Sequence, residues 1–125
     1  MSDKFIVITG ASSGVGKSLV EFFSKQMYVV AIARRLDKLD DNFGHLPNVI
    51  CYKCDVSNPE DSRCTFSEIK AKHGFIGYLI NNAGIMKQGL FTELSESDFE
   101  ASLGVNLMAP IIAMQHVLPD MVEMN

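Results

Sequence analysis

No apolar stretch in this sequence approaches the ~18 consecutive residues of a membrane-spanning helix, and none is expected to insert in a bilayer. Positive charge is in deficit. Eleven Lys and Arg against 15 Asp and Glu leave a formal net charge of −4, no footprint for nucleic acid or an anionic lipid surface. The early apolar run, Phe5-Ile6-Val7-Ile8, is too short for a signal-peptide core, and no small-residue cleavage site accompanies it, so a cytoplasmic location is expected. Cysteine is scarce. The three present fit a reducing compartment, and although Cys51 and Cys54 have C-x-x-C spacing, no second pair and no paired histidines complete a zinc site. Both lie in a run that reads as a buried strand, where cysteine acts as a small hydrophobe, and no metal site is expected. Repeats, low-complexity tracts and linkers are also missing. At 125 residues, 47% hydrophobic and 21% charged, the chain reads as one globular domain over residues 1–125.

Short apolar runs alternate with segments of helical period. Phe5–Ile8, Tyr28–Ala33, Val49–Cys54 and Tyr78–Ile80 are unbroken and rich in β-branched or aromatic residues, as suits parallel strands covered on both faces. Val15, Leu19, Phe22 and Phe23 predict a helix burying that stripe. Between the second and third runs the pattern predicts a short helix and a turn around Gly44 and Pro47. Ser57, Pro59 and Glu60 predict the start of a third helix, capped by Ser57 with Glu60 completing a capping box. A long last helix is expected from Ser95, with Asp98 at the capping-box position and Phe99, Leu103, Leu107, Ile111, Met114, Leu118 and Met121 facing inward. This alternation predicts an α/β fold, a doubly wound, Rossmann-like parallel sheet of about four strands in order 3-2-1-4. Because the chain ends within the last helix, before any strand that would cover the fourth, the domain is expected to be incomplete at its C-terminus.

Residues 9–16 read Thr-Gly-Ala-Ser-Ser-Gly-Val-Gly between a predicted strand and a predicted helix. Gly10, Gly14 and Gly16 permit a tight turn and close backbone approach, and the helix start then presents free N–H groups to an anion. A second reading takes residues 11–18, Ala-Ser-Ser-Gly-Val-Gly-Lys-Ser, as a relaxed triphosphate-binding loop using Lys17 and Ser18. Against it, Ala11 replaces the first glycine of that pattern, and no clear acidic strand end serves magnesium.

The glycine loop, followed by Asp55-Val56 after the third strand and Asn81-Asn82-Ala83-Gly84 after the fourth, resembles the short-chain dehydrogenase/reductase family. The likeness runs through the whole chain but covers about half of a typical member. It implies a nicotinamide dinucleotide cofactor. Gly10, Ser12, Ser13, Gly14, Val15 and Gly16 would surround the pyrophosphate and adjoining ribose, Asp55 would take the adenine amino group, and Val56 would lie against the ring. Asn82, Ala83 and Gly84 would approach the cofactor through their backbone, with Asn81 steadying the sheet. Asn106 falls at the family's catalytic asparagine, and Pro110, lacking an N–H, frees the Asn106 carbonyl and kinks the helix there. Met27 stands where the family usually has glycine, which implies a local change of turn. At the end of the second strand, where a carboxylate would grip the ribose of NAD, Arg34 and Arg35 stand instead. Two guanidinium groups with no acid beside them would favour the 2′-phosphate of NADP over NAD.

The family transfers a hydride between nicotinamide and an alcohol or carbonyl substrate, using a tyrosine acid/base and a lysine four residues on. The only tyrosines here, Tyr28, Tyr52 and Tyr78, are followed at that distance by Ile32, Val56 and Asn82. The chain is therefore expected to be a truncated NADP(H)-binding oxidoreductase, inactive alone. The alternative is a non-catalytic NADP-binding or interaction module. The resemblance also implies a homo-oligomer contact through the last helix.

Overall fold

Every residue of Phe5–Thr9 (β1) and Val29–Ala33 (β2) is buried, because these two strands lie at the centre of a sheet with helices on both faces. A computed structural model describes residues 4–124; residues 1–3 and 125 of the expected domain lie outside the described residues. Val49–Lys53 (β3) and Ile76–Ile80 (β4) form the edges, and all pairings are parallel in the order β3-β2-β1-β4, as the sequence predicted. The edge strands are only partly covered, unlike the fully buried strands expected. β4 also begins two residues earlier than its apolar run. Phe5 pairs with Ile76 but Ile6 with Tyr78, so Gly77 is the extra residue of a bulge, and its glycine had masked the strand.

Strand alternation divides the core. Phe5 and Val7 face Phe66, Ile69, Ala113 and Val117 in one layer; Ile6 and Ile8 face Val20, Leu39 and Phe43 in the other. The second layer comprises Gly14–Phe23 (α1) and Leu36–Phe43 (α2), the first Pro59–His73 (α3) and the last helix.

Several helical details correct the sequence reading. On α1 the inward face is Gly16, Leu19, Val20 and Phe23, while Val15 and Phe22 are exposed. Both stripes have helical spacing, and the missing side chain at Gly16 selects the face that can approach β1 most closely. Helix α3 is capped by Asn58, whose Oδ1 accepts from the N–H groups of Glu60 and Asp61. Ser57 instead donates to Asp55, and no Ser57–Glu60 box forms. In the turn between α1 and β2 no residue adopts a left-handed conformation, and Met27 closes it by donating to the Phe23 carbonyl.

The last helix comprises Glu96–Leu103 (α4), a π-helical turn Gly104–Met108, and Ala109–Glu123 (α5). Ser95 and Asp98 form the predicted capping box. The Ala109 N–H reaches back five residues to the Gly104 carbonyl, and Pro110 has none to offer Asn106. The added residue turns the helix face by about 100° relative to a regular α-helix. The buried set is Val105, Ala109, Ile112, Ala113 and Val117, a second stripe of helical spacing, and the expected inward residues Leu103, Leu107, Met114 and Leu118 are exposed. The 28 residues Glu96–Glu123 are long and apolar enough to cross a membrane by length and composition; here Ala109, Ile112, Ala113 and Val117 line the core.

Candidate functional site

At the C-terminal end of β1 the chain must turn sharply into α1, and glycine makes the turn possible. Gly10 and Gly14 have φ of 62° and 56°, a region L side chains rarely enter. A Cβ on Gly10 would also lie 2.8 Å from the Ala83 Cα. Ser13, the residue before α1, places no side-chain cap over the helix start. Among the described residues, the N–H groups of Ser12 through Gly16 donate to nothing in the protein. A row of open donors at the positive end of a helix suits an anion.

The loop after β4 is fastened to this turn. The buried Thr9 hydroxyl oxygen accepts from the Asn82 and Ala83 N–H groups, both at 3.1 Å, and Asn82 Nδ2 donates to the Gly10 carbonyl at 3.1 Å. Asn82 thus acts through its side chain as well as its backbone. The steadying role expected of Asn81 belongs to Asn82 and Thr9, since Asn81 is exposed and makes no side-chain hydrogen bond among the described residues. Asn106 holds the same loop from the π-turn. Its Oδ1 accepts from the Ile85 N–H at 2.9 Å, and its Nδ2 donates to the Ile85 carbonyl at 2.8 Å.

After β3, Asp55 Oδ1 accepts from the Ser57 N–H at 3.0 Å and its hydroxyl at 2.6 Å, while the Asp55 N–H donates to Asp61 Oδ2 at 2.8 Å. These bonds fix the Asp55 carboxylate and leave Oδ2 without a partner among the described residues. Arg34 and Arg35 separate in function. Arg34 lines the adjacent cleft, whereas Arg35 grips Asp37 through Nη2 at 2.7 Å and Nε at 3.3 Å. An acid therefore does stand beside the pair, contrary to the sequence reading. The Asp37 carboxylate falls below its ordinary pKa chiefly through its hydrogen bonds with Arg35.

The segments that follow the four strands enclose an open cleft of about 530 Å³. Gly10, Ser12, Ser13, Val15, Arg34, Asp55, Val56, Asn82, Ala83 and Gly84 all line it. Gly14, Gly16, Arg35 and Asn106 do not, and Gly16 and Asn106 serve by shaping what does. Lys17 and Ser18 are also outside the lining.

The profile of the short chain dehydrogenase family matches residues 4–125. The chain belongs to that family. Carbonyl reductase family member 4 of Xenopus laevis is 31% identical over 121 residues, covering 96% of this chain and 51% of that protein. The crystal structure of a short-chain dehydrogenase from Streptomyces avermitilis superposes with TM-score 0.90 at 28% identity, covering 97% of this chain and 46% of the other. A metagenomic short-chain oxidoreductase, solved in complex with NADP, gives TM-score 0.89 at 27% identity, covering 96% of this chain and 57% of the other. The chain spans about half the length of the curated relatives it matches. Membership of this family, with Lys17 and Ser18 outside the cleft lining, argues against the triphosphatase reading.

Sequence reasoning missed Thr9, Ser57, Ile85 and Lys87. The last three line the cleft, and Thr9 fastens two of its walls. Thr9 had a legible signal, a lone polar residue closing an apolar strand; Lys87 had none, since an exposed lysine in a loop carries no pattern.

The C-x-x-C spacing is resolved by strand geometry. Cys51 packs with the α1–α2 layer and Cys54 with the α3–α5 layer, so the two side chains lie on opposite faces of the sheet. Burial, with a smaller contribution from Asp40, pushes the Cys51 thiol up to about 11, and burial also raises Cys54. Under native alkylation at neutral pH, exposed Cys64 will be modified first, with Cys51 and Cys54 protected until denaturant is added. Mass mapping that finds Cys51 or Cys54 labelled as fast as Cys64 would contradict this arrangement.

Proposed function

We propose that this chain is the NADP(H)-binding part of a short-chain oxidoreductase acting on an alcohol or carbonyl substrate. The observation that carries the reading is the row of N–H groups from Ser12 to Gly16 that have no partner among the described residues, beside a cleft lined by Ser12, Ser13, Val15 and Arg34. The residues fit the dinucleotide chemically. Open donors at a helix start suit a pyrophosphate, an unpaired guanidinium suits a 2′-phosphate, and the free Oδ2 of Asp55 suits an exocyclic amine. Val15 and Val56 offer apolar walls beside them. Bound there, the nicotinamide would supply hydride chemistry.

In this reading Gly10, Ser12, Ser13, Gly14, Val15 and Gly16 form the pyrophosphate cradle, and Asn82, Ala83 and Gly84 form its floor. Asn106 holds that floor through Ile85, keeping the loop at fixed distance from the cofactor. No tyrosine of this sequence has a lysine four residues on, so the 125 residues are expected to bind cofactor without turnover; a cytoplasmic location is part of the same proposal. The exposed apolar face of Leu103, Leu107, Met114 and Leu118 favours association with a second copy through the last helix.

The test is calorimetric titration of the chain with NADPH and NADH, beside a carbonyl-substrate assay. One NADPH per chain, weaker NADH and no substrate-dependent oxidation is the expected result. A folded chain that takes up neither nucleotide would overturn the reading.

A further inference from the structure

An anion-binding loop needs its carbonyl oxygens turned away as much as its N–H groups turned in. Three carbonyls of the turn are each claimed by a donor. The Gly10 carbonyl accepts from Asn82 Nδ2 at 3.1 Å, the Ser13 carbonyl from the Lys17 N–H at 3.2 Å, and the Ser12 carbonyl from Asn42 Nδ2 at 3.0 Å. The first two donors belong to elements already joined to the loop. Asn42 does not: it lies on α2, thirty residues along the chain.

We infer that Asn42 is a positioning residue for the dinucleotide, setting the orientation of the Ser12–Ser13 peptide; this rests on the cofactor reading above. In a trans peptide the carbonyl and the following N–H point in opposite directions. Drawing the Ser12 oxygen toward Asn42, which is not part of the cleft lining, turns the Ser13 N–H toward the cleft that Ser12 and Ser13 line. Released, the peptide is free to present its carbonyl dipole to the phosphate, replacing attraction by repulsion. Asn42 is well placed for such a latch. Its helix is anchored by fully buried Leu39 and Phe43, and the same helix begins directly after Arg34 and Arg35. The pyrophosphate loop and the 2′-phosphate end of the cleft are thereby registered to one rigid element.

The test compares two ligands that share one end. NADPH uses both ends of the cleft; 2′-AMP has no pyrophosphate and uses only the α2 end. Asn42→Ala is expected to weaken NADPH about five- to ten-fold, the value of one neutral hydrogen bond, and to leave 2′-AMP affinity unchanged. Asn42→Asp keeps the size but replaces the donor with a charge facing the Ser12 oxygen, and is expected to lose more NADPH affinity than Asn42→Ala. It also serves where the alanine variant melts early. Unchanged NADPH affinity in both variants, or parallel loss of both ligands, overturns the inference. A wild-type chain that binds neither ligand overturns the cofactor reading and this one together, whereas wild-type binding with insensitive variants overturns this one alone.

Discussion

Replacing Gly16 by alanine is expected to destabilise the chain by about 2–3 kcal/mol and to lower its melting temperature by on the order of 10 °C. The added Cβ would fall deep inside van der Waals contact of the Gly10 carbonyl oxygen, 2.8 Å from the Gly10 carbonyl carbon and 2.5 Å from Asn82 Nδ2. None of these atoms is the end of a flexible side chain with room to move. The Gly10 carbonyl is held by Asn82, and Asn82 is held by Thr9. Helix α1 must therefore retreat from β1, carrying the open N–H groups of the loop with it, so NADPH affinity should fall by roughly 100-fold if about 2–3 kcal/mol of contact is lost there. Gly14→Ala provides the contrast. A Cβ at Gly14 meets nothing within 4 Å, and only its φ of 56° opposes it, a penalty of about 1–2 kcal/mol without displacement of the helix. Thermal denaturation and calorimetry on the two variants separate crowding from backbone strain. A Gly16→Ala chain melting within a degree or two of wild type would show that the close approach of α1 to β1 has been misread.

Arg34→Glu is expected to reverse the preference between NADPH and NADH. Arg34 lines the cleft and forms no ion pair among the described residues, so its guanidinium is available to a 2′-phosphate. Loss of a charge-assisted hydrogen bond is worth about 1.5–3 kcal/mol, or roughly 10- to 150-fold in NADPH affinity, and a carboxylate in its place adds repulsion. Toward NADH the same carboxylate gains a ribose hydroxyl to accept from. Arg35→Ala should change NADPH affinity far less, because Arg35 is engaged by Asp37 at 2.7 Å. Asp37→Asn should then raise NADPH affinity modestly by releasing Arg35. All these effects should shrink at high salt, since both arginines are exposed. Parallel titrations of the two nucleotides decide the matter. Equal affinities in wild type, or an Arg34→Glu chain that still prefers NADPH, would remove the argument from charge.

The glycine loop was legible because its chemistry is local. Gly10 and Gly14 supply left-handed backbone within one turn, and a strand before and a helix after are visible in the apolar pattern. The long helix shows where such reading fails. Its capping box at Ser95 and Asp98 was read correctly from four residues, yet its inward face was not. Two stripes of helical spacing run through residues 99–121, and only packing of α5 against α3 and β4 decides that the one through Val105, Ala109, Ile112, Ala113 and Val117 is buried. Arg34 and Arg35 are equivalent in sequence, and only the geometry of Asp37 distinguishes them. Asn42 carries no pattern at all, and Thr9 only that of a lone polar residue closing an apolar strand, since each acts on a residue more than 25 positions away.

From the chain of letters alone came the alternation of strand and helix, the order of the four strands, the anion-binding turn and the family, because each depends on neighbours a few residues apart or on motifs of fixed spacing. Tertiary structure alone decided which helix faces are buried, which arginine reaches the cleft, and how Thr9, Asn42, Asn82 and Asn106 tie the loops after β1 and β4 to each other, to α2 and to the last helix. Those outcomes depend on hydrogen bonds and packing between distant segments, and a side chain's partner across the fold is set by where the backbone brings it.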